Sequence, residues 1–210
     1  GPALSGKIIV INPARGGTNH GVTANECIES ELTYDIATRV EGRLLALGAS
    51  VFLTRGPGND PNESERISLT NNANADLMIS LHFDSYPNEK AHGVATYSYG
   101  SDAHGVHSVV GDRFAELVLR EICARTELQN CGTHSKTWDL LRLTQPPAVR
   151  IDLGYLTNPS DADSYKKATF RDLIAESLVI AIQRLYLSSE DDAKTGTLRI
   201  SDLKEAGLRS

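Results

Sequence analysis

The chain has 210 residues, 40% hydrophobic and 23% charged, with a formal net charge of -6; this is the composition of one globular domain able to bury a core. An acidic balance without clustered Lys and Arg argues against nucleic-acid phosphates or an anionic membrane as the main partner. No apolar run approaches the ~20 residues needed to span a bilayer, and Cys27, Cys123 and Cys131, lacking a CxxC pair, fit reduced thiols of a cytoplasmic protein better than a disulfide framework.

Gly1-Pro2 reads as the scar of a removed tag, so residues 1–6 are assigned to scar and linker, and the domain to 7–187. The β-branched run at 7–12, closed by Pro13, predicts a buried strand. Thr23-Ala-Asn-Glu26 has the capping-box pattern, and Ile28, Leu32, Ile36, Val40 and Leu44 follow at a spacing of four. Together they predict a long amphipathic helix ending near Gly48. A short strand at 51–54, a Gly/Pro/Asn-rich loop, a helix over 65–73 and a buried strand at 77–83 come next. Strands at 94–99, 140–143 and 149–154 are predicted, with a helix over 106–124 between the first two. A last helix begins at the Thr169-x-x-Asp172 cap and carries Phe170, Leu173, Ile174, Leu178, Ala181 and Leu185.

Strands alternating with helices imply a single three-layer α/β domain, a mostly parallel twisted sheet with helices on both faces. In such sheets functional groups gather at the carboxyl ends of the strands. There the chain places Arg15, His82 and Asp152, with Glu29 at the start of the first long helix. Residues 188–210 change character, from "SSEDDAK" to "TGTLRISDLKEAGLRS", and read as a tail outside the fold. Its Thr195 and Thr197 are candidate phosphorylation sites, and its Leu198, Ile200, Leu203 and Leu208 have the near-helical spacing of a segment that folds on a partner.

Five stretches, in order, resemble the zinc-dependent N-acetylmuramoyl-L-alanine amidases of the amidase-3 family: "IIVINPARGGTNHGV", "ESELTYDIA", "LTR" at 53–55, "ANADLMISLHFDS" and "PPAVRIDLGYLTNPSD". The resemblance implies a zinc held by a His in the first turn, a Glu at the helix start and a His after the third strand. It also implies a Glu that acts as general base on the metal-bound water. Carried over residue by residue, Glu29 and His82 keep their ligand positions. Arg15 stands where the first His is expected, and a guanidinium has no lone pair for a metal. Asp152 stands at the general-base position, one methylene short, and Asn12 and Asn19 replace two acids of the turn.

The resemblance therefore implies a degenerate, catalytically inactive member, like the actinobacterial regulators of the family, with no cofactor and with Arg15 paired to Glu29. Such regulators are cytoplasmic phosphoproteins, controlled by a Ser/Thr protein kinase. They act by protein-protein contact on the enolpyruvyl transferase that commits UDP-N-acetylglucosamine to peptidoglycan. The alternative is an active zinc amidase cleaving the bond from muramic acid to the stem peptide, with Glu29, His82 and His20 on the metal and Asp152 as base. A further idea is that the cleft binds a muropeptide or nucleotide-sugar without cutting it.

Other residues are weighed against ordinary structural roles. His20 is expected to be a turn residue rather than a replacement ligand, and His104 and His107 are expected to be solvated rather than chelating. Trp138 and Arg142 are placed near the cleft rim, as packing and surface charge or as ligand contacts. Cys27, beside the helix start, is either an activated thiol or, as for most such cysteines, a small apolar filler.

Overall fold

The computed structural model describes residues 4–187. Its elements in chain order are β1 (Ile8–Pro13), β2 (Thr23–Ala24), β3 (Cys27–Ile28), α1 (Glu29–Ala46), β4 (Ser50–Leu53), α2 (Glu63–Asn72), β5 (Leu77–Asp84) and β6 (Val94–Ser101). They continue as β7 (Val106–His107), α3 (Val109–Arg125), β8 (Asn130–Lys136), α4 (Asp139–Arg142), β9 (Ala148–Tyr155), α5 (Pro159–Tyr165) and α6 (Ala168–Leu185).

The main sheet runs β4-β1-β5-β9-β6-β7, with β8 paired to β6. Pairings of β1 with β4 and β5, of β5 with β9, and of β6 with β8 are parallel. Those of β6 with β9 and β7 are antiparallel. The domain is thus the expected three-layer α/β fold.

Its two faces differ along the strands. On one face Ile9, Ile11, Leu77, Ile79, Leu81, Val149 and Ile151 form an apolar surface packed by α1, α3 and α6. On the other, Val10, Met78 and Ala148 pack against Ile67 of α2 and Leu140 and Leu141 of α4. Side chains alternate at a period of two, so the residues next in line on this second face are Asn12, Ser80 and Arg150, followed by His82 and Asp152. It passes from apolar to polar as the strands approach their carboxyl ends, and that end is the candidate site.

Several local expectations need correcting. The Thr23 capping box does not form; residues 23–28 make a two-stranded hairpin, with Asn25 and Glu26 at φ +49° and +64°. Positive φ at both central residues is the signature of a tight hairpin turn. Helix α1 then starts at Glu29 without a side-chain cap, and α6 likewise starts one residue before Thr169, uncapped by Thr169. Residues 140–143 fall in and just after the short helix α4 rather than in a strand. Val106 and His107 are strand, so α3 begins only at Val109, capped by Ser108. Strand β8 and helix α5 add to the expected elements. Leu4, assigned to the linker, is buried in the core and its N–H donates to Leu47 O. Among the described residues no helix is long and apolar enough to cross a membrane. Thr195 and Thr197 lie outside the described residues.

Candidate functional site

The turn after β1 is shaped by two buried arginines. Arg55 donates to Pro13 O, Ala14 O and Ser30 O. Arg66 uses its whole fork, on Pro61 O, Asn12 Oδ1, Pro13 O, Arg15 O and Asp60 Oδ1. Burial lowers both side-chain pKa values, that of Arg55 to about 10, with the neighbouring Arg66 cation adding to the effect. The carbonyls they hold belong to a backbone that turns through Arg15 (φ +69°), Gly16 (+130°) and Gly17 (+55°). At Gly16 a Cβ would strike Asn59 O and the Arg55 side chain, so the turn accepts no side chain there.

This turn aims Arg15 at Glu29. Arg15 Nε lies 3.2 Å from Glu29 Oε1, with the Arg15 side chain 48% exposed and that of Glu29 1% exposed. The N–H groups of Val22 and Phe83 also donate to the Glu29 carboxylate, at 3.1 and 2.8 Å. Gly21 (φ +68°) passes so close that a Cβ would collide with Glu29 Oε1 and Arg15 Cγ. The expected pairing of Arg15 with Glu29 is what the structure contains.

His82 is half-buried and stands at the end of a chain of hydrogen bonds that begins at Arg66. Arg66 can only donate, so the Asn12 atom facing it at 2.9 Å is Oδ1. Asn12 Nδ2 therefore donates to Ser80 Oγ (2.8 Å), which shares a further hydrogen bond with His82 Nε2 (2.5 Å). Burial holds the pKa of His82 well below its usual value, and the cations of Arg150, Arg15 and Arg66 push the same way. His82 is a neutral ring in a positive field.

Asp152 sits opposite His82 in the β5–β9 register. It is gripped by Arg150 through Nε to Oδ1 (2.7 Å) and Nη2 to Oδ2 (3.4 Å). Asp84, two residues after His82 on the same face, is raised to about 7 by burial and by its contact with Asp152. Arg150 and Asp84 escaped the sequence reading, although a signal existed: each is an ionisable residue two positions from a candidate within an apolar strand, hence on the same face. Arg15, His82 and Arg150, with Asn12, Asn19 and Leu140, line an open cleft of about 330 Å³.

The remaining candidates lie elsewhere. His20 lines a separate hollow with Tyr34 and Arg55. His107 contacts Asp102 and Asp112 far along the chain from the cleft residues, while Arg142 pairs with Asp139 beside another hollow. Trp138 stacks on Tyr97 and on the Arg150 guanidinium, which places it beside the cleft. Cys27 is buried, with its thiol pKa raised by desolvation, so it is not an activated thiol. Among the described residues no three His, Cys, Asp or Glu side chains come together as a metal-binding group.

A three-layer α/β domain in which a helix start brings a carboxylate, and two parallel strands a histidine and a second carboxylate, to the carboxyl end of the sheet has the architecture of the peptidoglycan amidases. Residues 9–184 match the N-acetylmuramoyl-L-alanine amidase family, amidase-3, and the chain belongs to it. It is 42% identical over 207 residues to the N-acetylmuramoyl-L-alanine amidase CwlM of Mycobacterium tuberculosis, covering 97% of this chain and 51% of that protein. The chain thus spans about half the length of that relative. It is 29% identical over 205 residues to the germination-specific N-acetylmuramoyl-L-alanine amidase of Bacillus subtilis, covering 90% of this chain and 83% of that one. Among solved structures it resembles the amidase AmiC2 of Nostoc punctiforme at 25% identity, with a TM-score of 0.77 over 85% of this chain and 96% of that chain. Cwp6 from Clostridium difficile superposes with a TM-score of 0.79 at 26% identity, over 87% of this chain and 30% of that chain.

Proposed function

We propose that this chain is the amidase-like part of a catalytically inactive regulator of peptidoglycan precursor synthesis. The observation that carries this reading is the Arg15 guanidinium seated on the Glu29 carboxylate. A catalytic zinc in this family's arrangement needs three protein ligands and one open position, and the residues present do not fit one. Arg15 supplies a cation where a lone pair is required. The Glu29 oxygens already accept three hydrogen bonds. His82 Nε2 is already hydrogen-bonded to Ser80 Oγ. Arg150 holds both oxygens of Asp152, which withholds that carboxylate from service as a base.

The regulatory side of the proposal rests on the resemblance to the CwlM type of amidase-like protein. It acts in the cytoplasm by contact with the enolpyruvyl transferase that works on UDP-N-acetylglucosamine, under a Ser/Thr kinase that modifies Thr195 or Thr197. Replacing both threonines by Ala is expected to abolish that contact and leave the domain folded.

The deciding experiment is metal content together with muropeptide cleavage. Protein purified without chelator is expected to hold no stoichiometric zinc, and to release no stem peptide when zinc is added. One zinc per chain, with cleavage at the rate of ordinary amidases, would overturn the proposal and restore the active zinc amidase.

A further inference from the structure

The main sheet ends at β4, which among the described residues pairs with β1 alone. Ser50 N–H donates to Lys7 O and Thr54 N–H to Ile11 O, and successive residues of a strand turn their polar groups to opposite sides. The N–H and C=O groups of Val51 and Leu53 therefore face outward, and among the described residues no backbone group pairs with them. The strand reads "SVFL", without the lysine or proline that commonly blunts an edge. Apolar side chains flank it on both faces. Phe52, 48% exposed, shares the face of its register partner Val10. Leu45, 54% exposed, stands about 200° around α1 from Arg43. Arg43 turns to Asp172 of α6, so Leu45 lies on the flank of α1 that looks away from α6.

The chain leaves the described domain at the same corner. Tyr186, at the end of α6, has Lys7 Nζ 4.5 Å from its ring centre, and Lys7 is the residue whose carbonyl receives the first N–H of β4. Residues 188–210 thus start beside β1, one strand in from the free edge. Residues 188–196, "SSEDDAKTG", span up to about 30 Å when extended, against the roughly 10 Å that separate two strand positions. Beyond them comes "TLRIS", residues 197–201, in which Thr197, Arg199 and Ser201 alternate with Leu198 and Ile200. That is the period of two of a strand with one apolar side, and on either face of the sheet this side meets an exposed apolar group, Phe52 or Leu45. A tether of this length supplies an effective concentration on the order of millimolar, so a segment that binds in trans at only about 0.1 mM fills the edge about nine-tenths of the time.

We infer that residues 197–201 add to β4 as a further strand of the main sheet and so dock the tail of the chain on its own domain. A free edge takes an extended segment through main-chain hydrogen bonds, with alternate side chains providing the fit. The addition satisfies the outward groups of Val51 and Leu53, covers Phe52 or Leu45, and closes the edge against pairing with another chain. It needs neither a metal nor a kinase, so it stands or falls apart from the proposed function.

The test is amide hydrogen exchange, followed by NMR in the full chain at Ser50, Val51, Leu53 and Thr54. The Val51 and Leu53 amides are expected to exchange about tenfold more slowly than in the full chain carrying both Arg199→Pro and Ile200→Pro. One of two adjacent residues must aim its nitrogen at β4, and proline has no N–H to give. Ser50 and Thr54, bonded to β1 whether or not the tail is docked, are the internal control, and their rates should not change. Ile200→Val, which keeps the strand pattern, should keep the protection, and the protection should be the same at tenfold lower protein concentration. Equal rates at Val51 and Leu53 in the native and the double-proline chains overturn the inference, as does acceleration of all four amides together. Protection that falls on dilution overturns it too, since that is the mark of two copies pairing edge to edge.

Discussion

Glu121 and Glu29 are both buried carboxylates held by arginine, but their surroundings differ. Glu121 lies between α3 and α6, where Arg184 Nη1 reaches Oε1 at 2.5 Å and Arg125 Nη1 reaches Oε2. Glu121 and Arg184 are both 0% exposed. Glu29 has one arginine, itself half open to water, and two backbone N–H groups that would stay if that arginine left. The first arrangement is committed to holding two helices together. The second puts a replaceable cation over a carboxylate that the backbone already supports. In the helix interface the ion pair is a matter of stability, and in the cleft it is a matter of chemistry.

That contrast can be broken by mutation. The largest effect is expected for Glu121→Ala, which removes the fully buried carboxylate that Arg184 and Arg125 share between α3 and α6. A loss of about 3–5 kcal/mol, or a Tm lower by roughly 6–20 °C, should appear in denaturant and thermal unfolding. Arg15→Gln should cost only about 1 kcal/mol, since an amide can still donate to Glu29 and the exposed end of the arginine is screened. Equal costs for the two variants would erase the distinction.

The smallest effect belongs to a more exposed carboxylate, Asp35, whose side chain is 36% exposed and which receives Arg39 Nε and Arg171 Nε, each at 2.8 Å. Burial works to raise its pKa, but the hydrogen bonds from the two arginines outweigh burial and hold it below the ordinary 3.8. A depressed carboxyl contributes stability that is present above 3.8 and lost as pH falls through the lower folded value. Asp35→Asn should therefore change stability by less than about 1 kcal/mol at neutral pH and flatten its fall in acid. An unchanged acid limb in thermal melts from pH 5 down to 2 would show that the three arginine-held carboxylates do not form the graded series that their exposure implies.

Most of the scaffold was legible because its central strands are continuous apolar runs and its long helices carry an apolar stripe. What was missed lies where neighbours override local pattern. "LLRL" at 140–143 is four residues long, too short for periodicity to separate helix from strand, and it folds as helix against Met78 and Ala148. Strand β8, "NCGTHSK", is partly exposed along its length and lacks the apolar alternation that announces a strand. Helix α5 did carry a start signal, with Asn158 capping Asp161 N–H and Pro159 in the first turn. Of the site, Glu29, His82 and Asp152 were legible through the family resemblance, and so was the pairing of Arg15 with Glu29. Arg150 was not read, although it stands two positions before Asp152 in the same strand and so on the same face, because a single charge inside an apolar run was read only as part of a buried strand.

The two interior arginines of the first turn have a consequence for how such a site changes over time. Arg55 and Arg66 grip main-chain oxygens of residues 13–15, so the path of the loop is written without reference to the side chain at position 15. Position 15 is a socket: the backbone presents whatever is placed there to the same spot above Glu29. A lineage could exchange a metal-binding residue for a guanidinium at that socket without having to rebuild the loop, which separates the inheritance of the fold from the inheritance of the reaction.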